Sequence, residues 1–540
     1  MAETKREIER KYDVGAAAEL PDLSGVAGVA DVVDKGVVEL DAVYWDTPDQ
    51  RLAAASITLR RRTGGADAGW HLKLPVSLAE GVRDEVRAPL SGAVPRALLG
   101  LVRSRVREAE LVPVVRLLSA RNLRHLVDAD GALLAEVSID GVRAERLTGG
   151  GGATTAWSEV EVELADDGDP ALLDKVEKKL KKAGVRRSAA SSKLGRALAE
   201  TAPKKQRGPE KAPPEGAVRR GKKAGKAEAV ADAVRGCVGE GPGTAADHVL
   251  AYLGAQRDAL VSLDPAVRRD LPDSVHQMRV ATRRMRSAFK TYRKILDRTV
   301  TDPVGEELQW LAGELGVDRD QEVLTERLTA RIDALPRTLL LGPVRGRLRI
   351  WTVARRTGSR RRTVAVLDGK RYLALLDTVD ALLAAPPLRD AATAAPSDAL
   401  PKALLKDYAR LATRVEHALE QPPGAARDLA MHDARKAAKR ARYAGEAATP
   451  ALGKPAKRFA GRMKSVQTVL GDHQDSVLAR EALRTLAIQA HLAGETAFTW
   501  GLLYGQEEAA GADREGELPG VWARAAGEKV RAALRDGTSG

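Results

Sequence analysis

Hydrophobic and polar residues alternate along much of the first two hundred residues, which predicts β-strands. At the start of the chain, Glu7, Glu9 and Lys11 share one face of such a strand, because side chains two positions apart point the same way. Gly, Pro and Asp turns separate the later strands. The pattern predicts strands over residues 41–48, 56–62, 70–74, 83–87, 114–116, 121–128 and 157–164, and helices over 101–108 and 169–183.

Most of these strands have one apolar face and one charged face. A solvated face explains any single strand. The whole set, rich in long cations and glutamates, favours a barrel whose apolar faces pack outward on helices and whose charged faces line a channel. Carboxylates in such a channel could share a divalent metal, and the neighbouring cations could bind an anion. His71 falls on a channel-facing position, but a packing or surface role is the better prediction for it.

From about residue 228 the apolar residues recur with helical spacing. Over residues 275–293 an apolar stripe lies beside a stripe of cations at the same spacing. The cationic stripe consists of His276, Arg279, Arg283, Arg286, Lys290 and Arg293. Stacked cations next to a core repel one another, so an anion would stabilise them.

The same segment recurs 156 positions later, with His432 matching His276. Leu315-Gly316 and Leu470-Gly471 follow the two copies at nearly the same distance. This half is therefore predicted to be a duplicated helical unit with repeats over about 228–385 and 400–530. Metal binding by the two histidines is weakly supported, because neither has an acidic or histidine partner at i+3 or i+4. DNA recognition is also weakly supported, because the sequence shows no helix-turn-helix spacing, zinc ligands or aromatic platform.

The composition of the chain narrows the range of expected binding partners. The 540 residues include 88 Lys and Arg against 74 Asp and Glu, a net charge of +14, which favours polyanions. Aromatic residues make up 3%, too few for extensive base stacking, and one cysteine excludes an internal disulfide framework. Residues 201–227, rich in Pro, Gly, Lys and Arg, are predicted to be a disordered basic linker. With no apolar leader or spanning segment visible, the expected location is the cytoplasm, without membrane association.

The opening Glu7-x-Glu9-x-Lys11 resembles the signature of CYTH domains, the triphosphate tunnel metalloenzymes. Leu59-Arg-x-Arg62, Trp70-x-Leu-Lys73, Glu85-x-Arg87, Glu159-x-Glu-x-Glu163 and Ser192-Lys193 follow in that family's order. The resemblance covers about residues 3–200. It implies an α+β fold that begins with an eight-stranded antiparallel β tunnel with flanking helices, over residues 1–200.

The resemblance also implies the roles of single residues. The expected triphosphate ligands are Lys11, Arg60, Arg62, Lys73, Arg87, Arg116 and Lys193. The expected metal ligands, for Mg²⁺ or Mn²⁺, are Glu7, Glu9, Glu159, Glu161 and Glu163, with Glu85 and Glu136 as supporting carboxylates. Glu7, Glu9, Lys11 and Glu85 are the expected catalytic group. The role of Arg121 stays open, because Leu118 and Ala120 interrupt the arginines around it.

The helical half, residues 228–530, resembles the CHAD domain, an all-α domain of paired helical bundles. The twin HxxR segments and the two Leu-Gly segments carry this resemblance. It implies binding of inorganic polyphosphate by His276, Arg279, Arg283, Arg284 and Arg286 of one repeat, and by His432, Arg435, Lys436, Lys439, Arg440 and Arg442 of the other.

The two resemblances imply a metal-dependent hydrolase of inorganic triphosphate or polyphosphate ends, joined to a polyphosphate-binding domain. The alternative is a polyphosphate-binding scaffold without turnover. A thiamine or nucleoside triphosphatase or an adenylyl cyclase is a further reading, although nothing in the sequence supplies a base-recognition pocket. Polyphosphate granules are a candidate association, sequence-specific nucleic-acid binding is not expected, and the oligomeric state stays open.

Overall fold

The computed structural model describes residues 3–15, 20–77, 81–149, 152–202, 243–356 and 359–536, with only the backbone described at 317–320, 355–356, 359 and 536. The predicted linker from residue 203 onward, and the start of the predicted helical domain up to residue 242, lie outside these ranges. The chain divides into two compact units, residues 1–220 and 221–540.

The first unit is a closed antiparallel barrel of eight strands, as predicted, with neighbours in the order β5-β4-β3-β2-β6-β7-β8-β1 and a β1–β5 pairing that closes it. The strands are β1 (Glu3–Val14), β2 (Asp31–Asp46), β3 (Thr58–Thr63), β4 (Gly69–Ser77), β5 (Val82–Ala88), β6 (Val112–Val127), β7 (Leu133–Arg146) and β8 (Thr154–Leu164); a short β9 (Arg186–Arg187) adds to β1. The helices of this unit are α1 (Arg51–Ala54), α2 (Arg96–Val106), α3 (Ala171–Lys182) and α4 (Lys193–Glu200).

Strand β1 closes the barrel by changing partners halfway along its length. Residues 3–8 pair with β5, and residues 9–14 pair with β8. At the change, the Glu9 N–H donates to the carbonyl of Gly81. A Cβ on Gly81 would lie 2.0 Å from the Glu9 carbonyl oxygen, and its φ is +72°, so glycine is required there.

Apolar residues outside the barrel pack under helices, as the alternating pattern predicts. Trp70 and Leu72 of β4 pack against Leu98 and Val102 of α2. On another side, Val160 and Val162 of β8 pack against α3. The charged faces of the strands are left to point inward.

Helix α4 packs against the inner face of the barrel. Its Leu194, Ala197 and Leu198 contact a cluster that includes Tyr44 and Trp157. Trp157 has the same strand parity as Glu159 and Glu161 and therefore points inward. The barrel interior thus has an apolar part filled by α4 and a charged part that stays open.

The second unit is helical in all its described segments. Its helices are α5 (Ala245–Arg268), α6 (Ser274–Thr291), α7 (Arg298–Glu314), α8 (Gly316–Asp333), α9 (Val344–Arg356), α10 (Ser359–Asp368), α11 (Lys370–Ala384), α12 (Pro396–Glu420), α13 (Ala425–Leu452), α14 (Lys454–Leu492), α15 (Phe498–Ala525) and α16 (Glu528–Asp536). One apolar core joins helices of both predicted repeats, with Met278 and Met285 of α6 and Ala434 and Ala441 of α13 all buried in it. Within the described residues, no helix is long and apolar enough to cross a membrane.

Candidate functional site

The open part of the barrel interior, called the tunnel below, is a cavity of about 250 Å³ with an almost wholly polar lining. Its cations are Lys5, Lys11, Arg60, Arg62, Lys73, Arg83, Arg87, Arg121 and Lys193, and its carboxylates are Glu7, Glu9, Asp67, Glu85, Glu136, Glu161 and Glu163. Each of the eight strands contributes at least one side chain to this lining, and β1, β3, β5 and β8 contribute alternate residues, which is the inside-out pattern that the sequence predicts.

One acidic cluster consists of Glu7, Glu9 and Glu163, which offer carboxylate oxygens within 4.8 Å of one another. Lys73 Nζ lies 2.6 Å from Glu7 Oε2 and 3.8 Å from Glu9 Oε2. Burial, offset by Lys73 and reinforced by Glu85, raises the pKa of Glu7 to about 7. Burial also opposes the charge on Glu9, but Lys11 and Lys73 lower its pKa to about 2. The cluster therefore brings three carboxylates together among lysines that pair with them, as Lys5 does with Glu163 at 3.1 Å.

A second acidic cluster, Asp140, Glu159 and Glu161, surrounds the ammonium of Lys193. Lys193 Nζ lies 2.9 Å from Asp140, 2.8 Å from Glu159 and 2.6 Å from Glu161. Burial disfavours this charge, but the three carboxylates raise the pKa of Lys193 well above its ordinary value. The ammonium comes from the first residue of α4, where Ser192 Oγ caps the helix by accepting from the Gly195 N–H at 3.0 Å.

Arginine side chains on β3, β5 and β6 complete the tunnel. Arg121 donates two hydrogen bonds to Asp140, at 2.7 and 2.8 Å, and one to Glu161 at 3.0 Å. Arg87 donates to Glu85, and Arg60 Nη1 lies 3.3 Å from the Tyr44 hydroxyl. These guanidinium groups point into the cavity from several sides, as binding of a multiply charged anion requires.

His71 is buried and engaged on both sides of its ring. Its Nδ1 lies 3.1 Å from Glu85 Oε1, and its Nε2 lies 2.9 Å from the carbonyl oxygen of Asp67. This histidine therefore holds Glu85 in position and has no free nitrogen to act as a base.

Most of the predicted tunnel residues lie together in the lining, and Glu159 lies directly behind it against Lys193. The exception is Arg116. It is 46% exposed on the outer face of β6, where it donates to Asp41 at 2.6 and 3.0 Å. Its predicted place in the tunnel is wrong, because residues 112–127 form one continuous strand instead of two short ones. Positions 116 and 121 then lie on opposite faces, and Arg121 takes the inward place.

Several charged residues of the tunnel and of the second acidic cluster were not among the predicted ligands. These are Lys5, Asp67, Arg83, Arg121 and the fully buried Asp140. The alternation of residues 136, 138 and 140 on β7 signals that Asp140 points inward with Glu136, and the same reasoning applied to one continuous β6 would have found Arg121.

In the helical unit, α6 and α13 carry the two predicted cationic stripes and contact each other. The first arginine of each stripe packs against a glycine at the start of the matching Leu-Gly segment. Arg279 donates to the Gly316 carbonyl at 3.3 Å, and Arg435 Nε would lie 3.7 Å from a Cβ on Gly471. In both segments an arginine therefore lies beside the glycine of the matching Leu-Gly segment.

The stripes also bond to each other across the α6–α13 contact. Arg284 donates to Glu446 at 2.9 Å, and its counterpart Arg440 donates to the Lys290 carbonyl at 2.5 Å. Arg286 and Arg442 each donate to a glutamine of the following helix, Gln309 and Gln467. Burial and the neighbouring Lys436 lower the pKa of His432, so it stays neutral near pH 7. Among the described residues, neither His276 nor His432 belongs to a cluster of metal-ligand geometry.

The charged barrel followed by a duplicated helical unit defines a two-domain class, and comparisons with known proteins identify it. The CYTH domain model matches residues 5–198, and the CHAD domain model matches residues 251–484. Two Mycobacterium tuberculosis proteins, MT2285 of strain CDC 1551 / Oshkosh and Rv2226 of strain H37Rv, are each 39% identical over 518 residues, covering 93% of this chain and 92% of theirs.

Three solved structures are similar to parts of the chain. PptA from Streptomyces chartreusis is 22% identical with a TM-score of 0.43, covering 51% of this chain and 98% of its own. The CHAD domain of the plant Ricinus communis is 25% identical with a TM-score of 0.40, covering 54% and 92%. The PH1819 protein of Pyrococcus horikoshii is 18% identical with a TM-score of 0.23, covering 36% and 98%.

The chain belongs to the family in which a CYTH domain is followed by a CHAD domain. The fold and this domain order are as the sequence predicts.

Proposed function

We propose that the tunnel is the active site of a metal-dependent hydrolase that releases phosphate from inorganic triphosphate or from the end of a polyphosphate, and that the CHAD domain holds polyphosphate. The observation that carries this proposal is the meeting of the Glu7, Glu9 and Glu163 cluster with phosphate-binding cations in one cavity. Hydrolysis of a phosphoanhydride needs neutralised charge and a positioned phosphoryl group, and this cavity offers groups for both.

The residues present fit a hard divalent cation. Glu7, Glu9 and Glu163 offer carboxylate oxygens within 4.8 Å, and oxygen donors suit Mg²⁺ and Mn²⁺. When bound, such an ion supplies Lewis-acid polarisation of a phosphoryl oxygen. The second cluster is a weaker candidate for an ion, since the Lys193 ammonium already lies among its carboxylates.

The cations of the tunnel bind and orient the substrate in this account. In the ligand-free chain they pair with carboxylates, as Lys11 does with Glu9 at 3.1 Å and with Glu161. A triphosphate oxygen would replace the carboxylate as their partner, and the released carboxylates could then hold a divalent cation. Binding of metal and anion is therefore expected to be cooperative.

The apolar part of the barrel interior supports cleavage at a chain terminus. Helix α4 packs there with Leu194, Ala197 and Leu198. Because these residues occupy part of the interior, we expect the end of a long polyphosphate, and not its middle, to enter the tunnel. A nucleoside triphosphatase or cyclase is less well supported, because Tyr44 is the one aromatic residue in the described lining and no apolar base pocket adjoins it.

The test is phosphate release from triphosphate, long-chain polyphosphate and ATP, each with Mg²⁺ and with Mn²⁺. Glu9→Gln removes one buried carboxylate of the first cluster, and Glu39→Gln is the matched control on an exposed position of β2. We expect metal-dependent release from triphosphate that Glu9→Gln abolishes and Glu39→Gln preserves. Absence of release from all three substrates would leave a polyphosphate-binding scaffold instead of an enzyme.

The CHAD half of the proposal has its own test. Replacing Arg283 and Lys439 by alanine removes one cation from each stripe. We expect polyphosphate affinity to fall by about tenfold and its dependence on salt to weaken, because fewer cations contact the anion. Triphosphate turnover in the tunnel is expected to be unchanged; loss of turnover with retained polyphosphate binding would contradict this assignment.

A further inference from the structure

The two CHAD repeats differ at the end of their cationic stripes. With His276 matched to His432, Lys290 corresponds to Glu446 and Arg293 corresponds to Thr449. The first stripe therefore continues as cations with Lys290 in the last turn of α6 and Arg293 just beyond the helix, whereas the second repeat has an acid and a neutral residue at these positions. The two halves cannot bind an anion equally.

A cavity of about 360 Å³ lies at this extension, between α6 and α7, and Arg440 of α13 reaches into it. Five cations line it against two carboxylates: Arg286, Lys290, Arg293, Arg298 and Arg440 against Asp302 and Glu306. Of the two carboxylates, Asp302 already accepts from Arg298 at 2.6 Å. The cavity therefore keeps a surplus of positive charge.

Two of the five cations have acidic partners: Arg298 contacts Asp302, and Arg440 Nε donates to Asp407 at 3.0 Å. Among the described residues, no carboxylate lies within ion-pair distance of Lys290 or Arg293. The Nε of Arg286 is buried without a hydrogen-bond partner. Burial, with repulsion from Arg286 and Arg440, lowers the pKa of Lys290. Geometry and charge agree that an anion would stabilise this cluster.

The corresponding position of the second repeat is already neutralised. Glu446 accepts from Arg284 at 2.9 Å and from Arg442 at 2.7 Å. Two stripe arginines are thus paired with an acid where the first repeat has an unpaired lysine. An anion arriving there would have to displace Glu446 and would meet its negative charge.

We infer that the CHAD domain binds condensed phosphate asymmetrically, with a primary phosphate subsite in the first-repeat cavity around Lys290, Arg293 and Arg440, and that Glu446 closes the equivalent subsite of the second repeat. This inference rests on the proposed function. It adds that the first repeat provides the primary binding site for polyphosphate on the basic surface. Guanidinium and ammonium groups around one cavity suit consecutive phosphoryl groups, which carry charge on every unit.

The test exchanges the two residues in the full-length chain. Binding of long-chain polyphosphate is measured at fixed ionic strength with EDTA present, so that metal-dependent turnover does not consume the probe. Lys290→Glu gives the first repeat the residue of the second, and Lys178→Glu makes the same charge change on an exposed lysine of α3. We expect Lys290→Glu to weaken binding by about tenfold or more and Lys178→Glu by less than about twofold.

The reverse exchange tests for gained binding. Glu446→Lys, and Glu446→Gln in case the lysine disturbs packing, are expected to raise the affinity or the number of phosphate chains bound. Equal losses in Lys290→Glu and Lys178→Glu would overturn the asymmetric subsite while polyphosphate binding itself stands. Absence of polyphosphate binding by the unchanged chain would instead overturn the proposed role of the CHAD domain and this subsite with it.

Discussion

The tunnel and the first-repeat cavity both gather cations, but they neutralise them differently. In the tunnel nearly every cation meets a carboxylate, as Lys193 does with three of them. In the cavity, Lys290 and Arg293 have no carboxylate partner among the described residues. Mixed charges suit a site that takes both a metal and an anion, whereas surplus positive charge suits an anion alone. The two domains are therefore expected to differ in their need for metal.

Metal removal is expected to have the largest effect. Without a divalent cation, the Glu7, Glu9 and Glu163 cluster keeps its repulsion and the phosphoryl group loses its polarisation. We expect EDTA to reduce phosphate release from triphosphate by at least about 100-fold. Long-chain polyphosphate binding by the same sample, followed by fluorescence anisotropy, is expected to change by less than about twofold. A parallel loss of both would mean that the two domains share a metal requirement.

The next largest effect is expected in a comparison of alanine substitutions at Arg121 and Arg116, which lie on opposite faces of β6. Arg121 faces the tunnel, and its replacement by alanine removes a guanidinium that we expect to bind a phosphoryl oxygen; a charged hydrogen bond of about 1.5–3 kcal/mol corresponds to about 10- to 100-fold in kcat/KM. Arg116→Ala, on the outer face of the same strand, is expected to leave kcat/KM within about twofold. Steady-state kinetics with triphosphate measures both. The reverse order would mean that β6 has the opposite face inward.

The smallest effect is expected from substitutions at one helix N-cap in each unit, which test whether the two units unfold separately. Ser192 caps α4 in the tunnel unit, and Thr244 caps α5 in the helical unit through a capping box with Asp247. Each Ser or Thr to Ala change is expected to lower the free energy of unfolding by about 1 kcal/mol. Scanning calorimetry is expected to show a shift of one transition with Ser192→Ala and of another with Thr244→Ala. A common shift in both variants would indicate that the units unfold together.

Strand parity could be predicted from the sequence wherever the strand boundaries were right. The charged face of residues 7, 9 and 11 and that of 159, 161 and 163 are inward, as their alternation predicts. Arg116 was misplaced because the residues between positions 116 and 121 do not show that β6 is one strand of sixteen residues. Local pattern does not report strand length, which depends here on long pairings with β2 and β7.

The packing of α4 inside the barrel could not be predicted from the pattern of apolar residues. Its apolar residues predict an amphipathic helix but do not say which surface covers them. In the helical half, the repeat spacing predicted the equivalence of Arg279 and Arg435, which their glycine contacts confirm. The same spacing aligns Lys290 with Glu446. That Glu446 neutralises this position in the second repeat is seen only from its contacts with Arg284 and Arg442 in the structure.

The most direct test measures phosphate release and polyphosphate binding on the same preparations of the unchanged chain and Glu9→Gln. The account predicts that Glu9→Gln loses metal-dependent release from triphosphate and keeps its polyphosphate affinity, because Glu9 belongs to the tunnel cluster and not to the CHAD cations. Unchanged release in Glu9→Gln, or loss of polyphosphate binding in a folded Glu9→Gln, would contradict the assignment of catalysis to the tunnel and chain binding to the helices.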